Sequence, residues 1–200
     1  MNPALAPRSD SPPDAALQAL PTPAMLAAQL SDFQRRLGSV EKAQPEDRFS
    51  LLVFSGDMDK LMAAFLIATG AAAMGTEVTM FFTFWGLAAV KKQRTFKGKT
   101  FWEKILAIML PRGPRSVPTS NMNMAGFGPR FFNMMMGKKN VVKLPELIAL
   151  ARELGVEMLA CQMSMDVMGI RKEELLEKIE VCGVAGFLGK AGTSRNAMFI

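Results

Sequence analysis

Cys161 closes an apolar run, Val156 to Cys161, and is followed at once by Gln162-Met163-Ser164-Met165-Asp166-Val167-Met168-Gly169-Ile170. Ligands of open α/β sheets bind beyond the carboxyl ends of the strands, so a thiol at such an end stands where chemistry is done. The residues that follow must turn into a helix or loop, and free N–H groups there stabilise a thiolate. The thiolate is the reactive form of cysteine, and the chemistry on offer is nucleophilic attack by sulfur. The 200 residues include no histidine. Ser-His-Asp triads, Cys-His pairs and His-ligated zinc are therefore excluded, and activation falls to backbone dipoles or nearby cations. The plain alternative is that Cys161 is an inert, buried small residue.

Other residues can be grouped around this thiol. Gln162, Ser164 and Asp166 follow it in the same turn, and Asp166, the one acid of the run, suits a helix cap, a loop hydrogen bond or a proton acceptor. Ser55-Gly56-Asp57 ends the first apolar strand and lies on the same edge of the sheet, although short turns of this composition are mostly structural. Cys182 sits in Glu180-Val181-Cys182-Gly183-Val184, where it reads as core and, alternatively, as a second, resolving thiol. Two cysteines are too few for a disulfide framework, which points to a reducing, cytoplasmic setting. They are also too few for a four-cysteine site, so no metal is expected.

The elements that must hold these residues follow from periodicity. Residues 1–45 read as a flexible extension, Pro-, Ala- and Ser-rich at first. Met25, Leu26, Leu30, Phe33 and Leu37 then fall near helical spacing, with Gly38 as the stop. The start shows no secretory signal. The domain proper, 46–200, opens with a short apolar strand, a helix over Lys60–Met74 and a strand over Glu77–Phe84. That βαβ order predicts parallel strands. The rhythm returns as a helix Leu144–Leu154, a strand Val156–Cys161, a helix Arg171–Ile179, a strand Glu180–Val184 and an edge strand Asn196–Ile200. The expected fold is a three-layer α/β sandwich of about five mostly parallel strands, similar to flavodoxin.

Residues 92–143 interrupt that rhythm as a long Met-rich excursion, and long loops in compact domains are often functional. Charge concentrates in the same place. Residues 91–143 carry twelve Lys and Arg against the single acid Glu103, and so hold all of the +6 net charge and more. A solvated basic face is the simplest reading; an acidic partner or small anion is the next. No nucleic-acid motif accompanies the charge, and none is expected to bind. The apolar stretch Leu61–Val90 is divided by Gly70, Gly75, Thr76 and Glu77, so neither part has the roughly 20 residues a membrane span needs. Peripheral membrane contact through the methionines stays open.

Several runs resemble one family. They are LLVFSGDMDKLMAAFLIATGAAAMGTEVTMFFTFWG, MLPRGPRSVPTSNMNMAGFGPR, LGVEMLACQMSMDVMGI and VCGVAGFLGKA. Together they are similar to the DsrE/DsrF/DsrH-like sulfurtransferase superfamily, in its long branch with a Met-rich insertion, from about Arg48 to Ile200. The resemblance implies a DsrE-like fold, a sulfur-carrying role for Cys161 as a persulfide, homo-oligomers, and exchange with a rhodanese-like donor and a TusA-like small carrier. It implies no cofactor. Two other readings remain: a thiol redox protein using Cys161 with Cys182, and a non-catalytic binding or assembly module, membrane-associated in one version.

Overall fold

The computed structural model describes residues 22–121 and 127–200, with the side chains of residues 42 and 43 left aside. The Pro-rich start, Met122 and Met124 fall outside the described residues. The described residues divide into two units, 22–44 and 45–200.

In the first unit, α1 spans Pro23–Ala43, with the Thr22 hydroxyl accepting from the Met25 N–H at 3.4 Å. It is longer than its sequence pattern predicts. Gly38 does not stop it, because glycine inside a helix lowers stability by only about 1 kcal/mol and leaves the hydrogen-bond ladder intact. Leu26, Leu30, Phe33 and Leu37 are exposed along it.

The second unit is one five-stranded sheet in the order β4-β3-β2-β1-β5, parallel throughout. Its strands are β1 (Glu46–Val53), β2 (Glu77–Phe82), β3 (Glu157–Cys161), β4 (Glu180–Cys182) and β5 (Ser194–Phe199). Helices α2 (Met58–Ala73) and α5 (Leu144–Glu153) are packed together over one face. Helix α7 (Val184–Thr193) covers the other. This is the expected three-layer α/β sandwich of five parallel strands.

Strand alternation divides the side chains between two cores of unequal size. Leu51, Val53, Val78, Met80, Phe82, Met158 and Ala160 face α2 and α5 and join a large buried cluster. Phe81, Leu159 and Cys161 face α7 with Phe187, and form a small separate one. The Phe81 and Phe187 rings stack at 4.8 Å between centroids.

Three sequence expectations need correction. The segment Arg171–Ile179 is not a helix: it holds a single 3-10 turn, Lys172–Glu174. The helix before it is α6 (Gln162–Met168), which starts directly from Cys161. The strand expected through Val184 ends at Cys182, and Val184 opens α7 instead. Gly186, Gly189 and Gly192 weaken helix propensity there, so α7 has little local signal of its own. Finally, residues 92–143 are not one loop. They contain α3 (Phe101–Met109), started by a Thr100–Glu103 capping box, and α4 (Phe127–Lys138). Among the described residues, no helix is long and apolar enough to cross a membrane.

Candidate functional site

Cys161 is the last residue of β3 and the N-cap of α6, and it is 1% exposed. Its neighbour across the sheet is Cys182. The β3–β4 register pairs Leu159 with Glu180, Ala160 with Val181 and Cys161 with Cys182. Adjacent strands lie about 4.8 Å apart, and residues in register point to the same face. Both thiols are free, at the carboxyl ends of their strands, under α7. Cys182 is only partly buried. Burial pushes its thiol up from the ordinary value, and charge on Cys161 pushes it further in the same direction.

The polar residues of this face form a second group below the thiols. Glu157, two positions before Leu159, accepts from Thr79 Oγ1 at 2.8 Å and from Lys190 Nζ of α7. Burial works against its charge, but those hydrogen bonds outweigh it and hold the carboxyl below its ordinary range. Ser50 and Ser194 join their hydroxyls at 2.7 Å on the same face. The Lys190–Glu157 contact thus ties α7 to the face of the sheet that carries the cysteine pair, at the opposite end of β3.

The residues that follow Cys161 part company at once. Ser164 is fully buried, and its hydroxyl meets Thr83 Oγ1 at 2.7 Å, which fastens α6 to the end of β2. Gln162 and Asp166 are exposed and bond to each other, Nε2 to Oδ1, at 2.8 Å. They line a cavity of about 640 Å³ together with Glu103, Arg171, Lys172 and Val181. Ser55, Gly56 and Asp57 line a different cavity, of about 990 Å³, with Lys60, Trp85, Arg94 and Arg112. In that turn Asp57 accepts from Ser55 Oγ at 3.0 Å and pairs with Lys60 at 2.9 Å. A side chain on Gly56 would press on the Trp85 carbonyl at 2.6 Å. Of the sequence-selected residues, Gln162 and Asp166 thus border one cavity and Ser55, Gly56 and Asp57 another, while Cys161, Ser164 and Cys182 line neither.

The basic excursion is anchored on both sides of this edge. The Met58 N–H donates to the Pro118 carbonyl at 2.7 Å, and Ser120 N–H donates to Asp59 at 2.9 Å. At its base, Lys91 and Lys99 both approach Glu174, Lys91 at 3.6 Å, and all three side chains are buried. Burial lowers the Lys91 pKa; the Glu174 charge opposes this, while Lys99 and Arg94 add to it. Two of the twelve cations are thus structural rather than displayed. Charge counting could not separate them, because a lysine paired across about eighty residues leaves no local pattern. Among the described residues, no group of three or more His, Cys, Asp or Glu is placed to hold a metal ion.

A parallel five-stranded sheet with a thiol at the end of an interior strand defines a class, and comparison of the chain with known proteins supplies the family. Residues 45–199 match the model of the DsrE/DsrF/DrsH-like family, and the chain belongs to it. It is 46% identical over 154 residues to the uncharacterized protein YrkE of Bacillus subtilis, covering 76% of this chain and 96% of that one. It is 29% identical over 168 residues to the sulfur carrier protein DsrE2 of Allochromatium vinosum, covering 78% and 99% respectively. Among solved structures, the YchN protein from E. coli aligns with a TM-score of 0.44 at 9% identity, over 76% of this chain and 99% of that one.

Proposed function

We propose that this protein is a cytoplasmic sulfur carrier that holds sulfane sulfur as a persulfide on Cys161 and passes it to an acceptor thiol. The observation that carries the reading is the place of Cys161, at the carboxyl end of an interior strand and at the start of α6, in a chain of this family. The relative named as a sulfur carrier supports the same role. The Cys161 thiolate attacks the outer sulfur of a donor persulfide; the donor leaves as a thiolate, and Cys161–S–SH remains. An acceptor thiolate then attacks that outer sulfur and releases the Cys161 thiolate. Atoms and charge balance at each step without an external oxidant, so the reaction is thiol exchange and uses no metal, nucleotide or flavin. A rhodanese-like donor and a TusA-like acceptor fit this chemistry, and a homo-oligomer is the working assembly.

The test is mass spectrometry of the intact chain after incubation with polysulfide. The expected result is added mass in multiples of one sulfur atom, removed by reductant. A folded protein that gains no reducible sulfur would end the carrier reading.

A further inference from the structure

A sulfur atom cannot be handed over without contact, yet the thiol proposed to carry it is 1% exposed. The neighbour in register with it is the partly open Cys182. We infer that Cys182 is the receiving thiol of a two-cysteine relay, taking sulfane sulfur from the incoming donor and passing it inward to Cys161. The inference rests on the carrier reading, keeps Cys161 as the residue that holds the sulfur, and replaces its direct exchange with donor and acceptor by exchange through Cys182.

Two observations support it. First, the register places the two residues directly opposite each other on adjacent strands, both on the α7 face. The separation of neighbouring strands, about 4.8 Å, lets two sulfurs meet without movement of the sheet. Second, the approach to Cys182 is open. Gly183 and Gly186 beside it are exposed, and a Cβ added to Gly186 would lie 3.8 Å from the Cys182 sulfur. At Gly186, in the first turn of α7, no side chain stands over that sulfur.

The steps balance. The Cys182 thiolate attacks the outer sulfur of the donor persulfide, the donor S–S bond breaks, and the donor leaves as its thiolate. Cys182–S–SH then faces Cys161. The Cys161 thiolate attacks the outer sulfur, the Cys182–S bond to it breaks, and Cys182 leaves as a thiolate. The product is Cys161–S–SH, with nothing oxidised or reduced overall. Release follows the same path in reverse, with an acceptor thiol in place of the donor.

Sodium tetrasulfide serves as the probe. The full-length protein is mixed with it, trapped with iodoacetamide at intervals and digested with trypsin. Arg171, Lys172 and Lys178 lie between the cysteines, so each thiol reports on its own peptide. The expected course is sulfur on Cys182 first and on Cys161 afterwards. Cys161→Ser should accumulate sulfur on Cys182. Cys182→Ser should load Cys161 about tenfold more slowly, since access limits exchange. Gly186→Leu keeps both thiols but covers the Cys182 sulfur, and should slow loading of both; it serves as the second variant should Cys182→Ser lose its fold. Wild-type loading of Cys161 in folded Cys182→Ser, an unloaded Cys182 in Cys161→Ser, or a Cys161–Cys182 disulfide in place of a persulfide would overturn the relay. The first leaves the carrier reading standing. Failure of the wild type to load either thiol would instead sink the carrier reading, and the relay with it.

Discussion

The two faces of the sheet are built differently. The face under α2 and α5 buries a large apolar cluster, from Phe49 and Leu51 through Phe65, Met80 and Phe82 to Ile148 and Met158. The face under α7 buries four residues, Phe81, Leu159, Cys161 and Phe187, and mixes them with Ser50, Thr79 and Glu157. Its only described helical cover carries three glycines, and Val184 and Leu188 of that helix are exposed. The larger apolar core lies on the first face, and the two thiols lie on the second. Elements with few buried contacts open at lower free energy than the core, so α7 is expected to open before the rest of the domain.

Removing a large side chain from each face is the strongest way to break this contrast. Phe65→Ala should cost about 3–5 kcal/mol of global stability, read by denaturant titration, since Phe65 is fully buried among α2 and β2 residues. Phe187→Ala should cost less globally and instead speed alkylation of Cys161, by about an order of magnitude if local opening of α7 controls access. Equal global losses with unchanged Cys161 alkylation would mean that the two faces are one cooperative unit.

The buried charges at the base of the excursion come next. Glu174→Ala leaves Lys91 and Lys99 buried without their carboxylate and should lower stability by about 3–5 kcal/mol, whereas Lys91→Met should be near neutral. Thermal melts of the two variants decide it. A harmless Glu174→Ala would show that solvent reaches the lysines.

On the thin face, acid should act through Glu157. Its pKa is below the ordinary 4.5 in the folded protein, so its contribution is present above that value and is lost as pH falls through the folded one. Glu157→Gln should flatten that part of the acid-denaturation profile and leave the profile above pH 6 parallel to wild type, roughly the upper end of the carboxylate range. An unchanged acid limb would remove the Lys190–Glu157 tie from the account.

The smallest effect is a gain. Gly189 has nothing near its Cβ position, so Gly189→Ala should firm α7 by about 0.5–1 kcal/mol and slow alkylation of Cys161. Hydrogen exchange of α7 amides measures both the firming and its confinement to the thin face. Protection that spreads evenly over the sheet would argue against a separately mobile α7.

Much of this was legible in the order of residues. Short apolar runs place β1, β2 and β3, because a strand buried on both faces needs little else to declare itself, and the run Asn196–Ile200 marks the edge strand β5. They also place Cys161 at the end of a strand. The alternation puts Glu157, Leu159 and Cys161 on one face before any fold is known. The helix α7 was not legible, since its glycines suppress propensity and its position depends on Phe187 finding Phe81. The misplaced helix at Arg171–Ile179 failed for the opposite reason. Its apolar residues Leu175 and Ile179 are buried, but the backbone there pairs with the base of the excursion, through Leu176 N–H to the Val90 carbonyl at 2.8 Å and Lys92 N–H to the Glu174 carbonyl at 2.8 Å. Tertiary hydrogen bonds overrode a weak local preference.

By itself, then, the sequence determined the α/β class, the parallel strands, the absence of any imidazole and the place of Cys161 at a strand end, because each of these depends on residue type or on spacing within one element. Strand order and register are pairings between segments far apart in the chain, and no local period encodes them. Only the tertiary structure decided that β4 lies beside β3, that Cys182 stands opposite Cys161, and that the cations Lys91 and Lys99 are spent on one buried carboxylate.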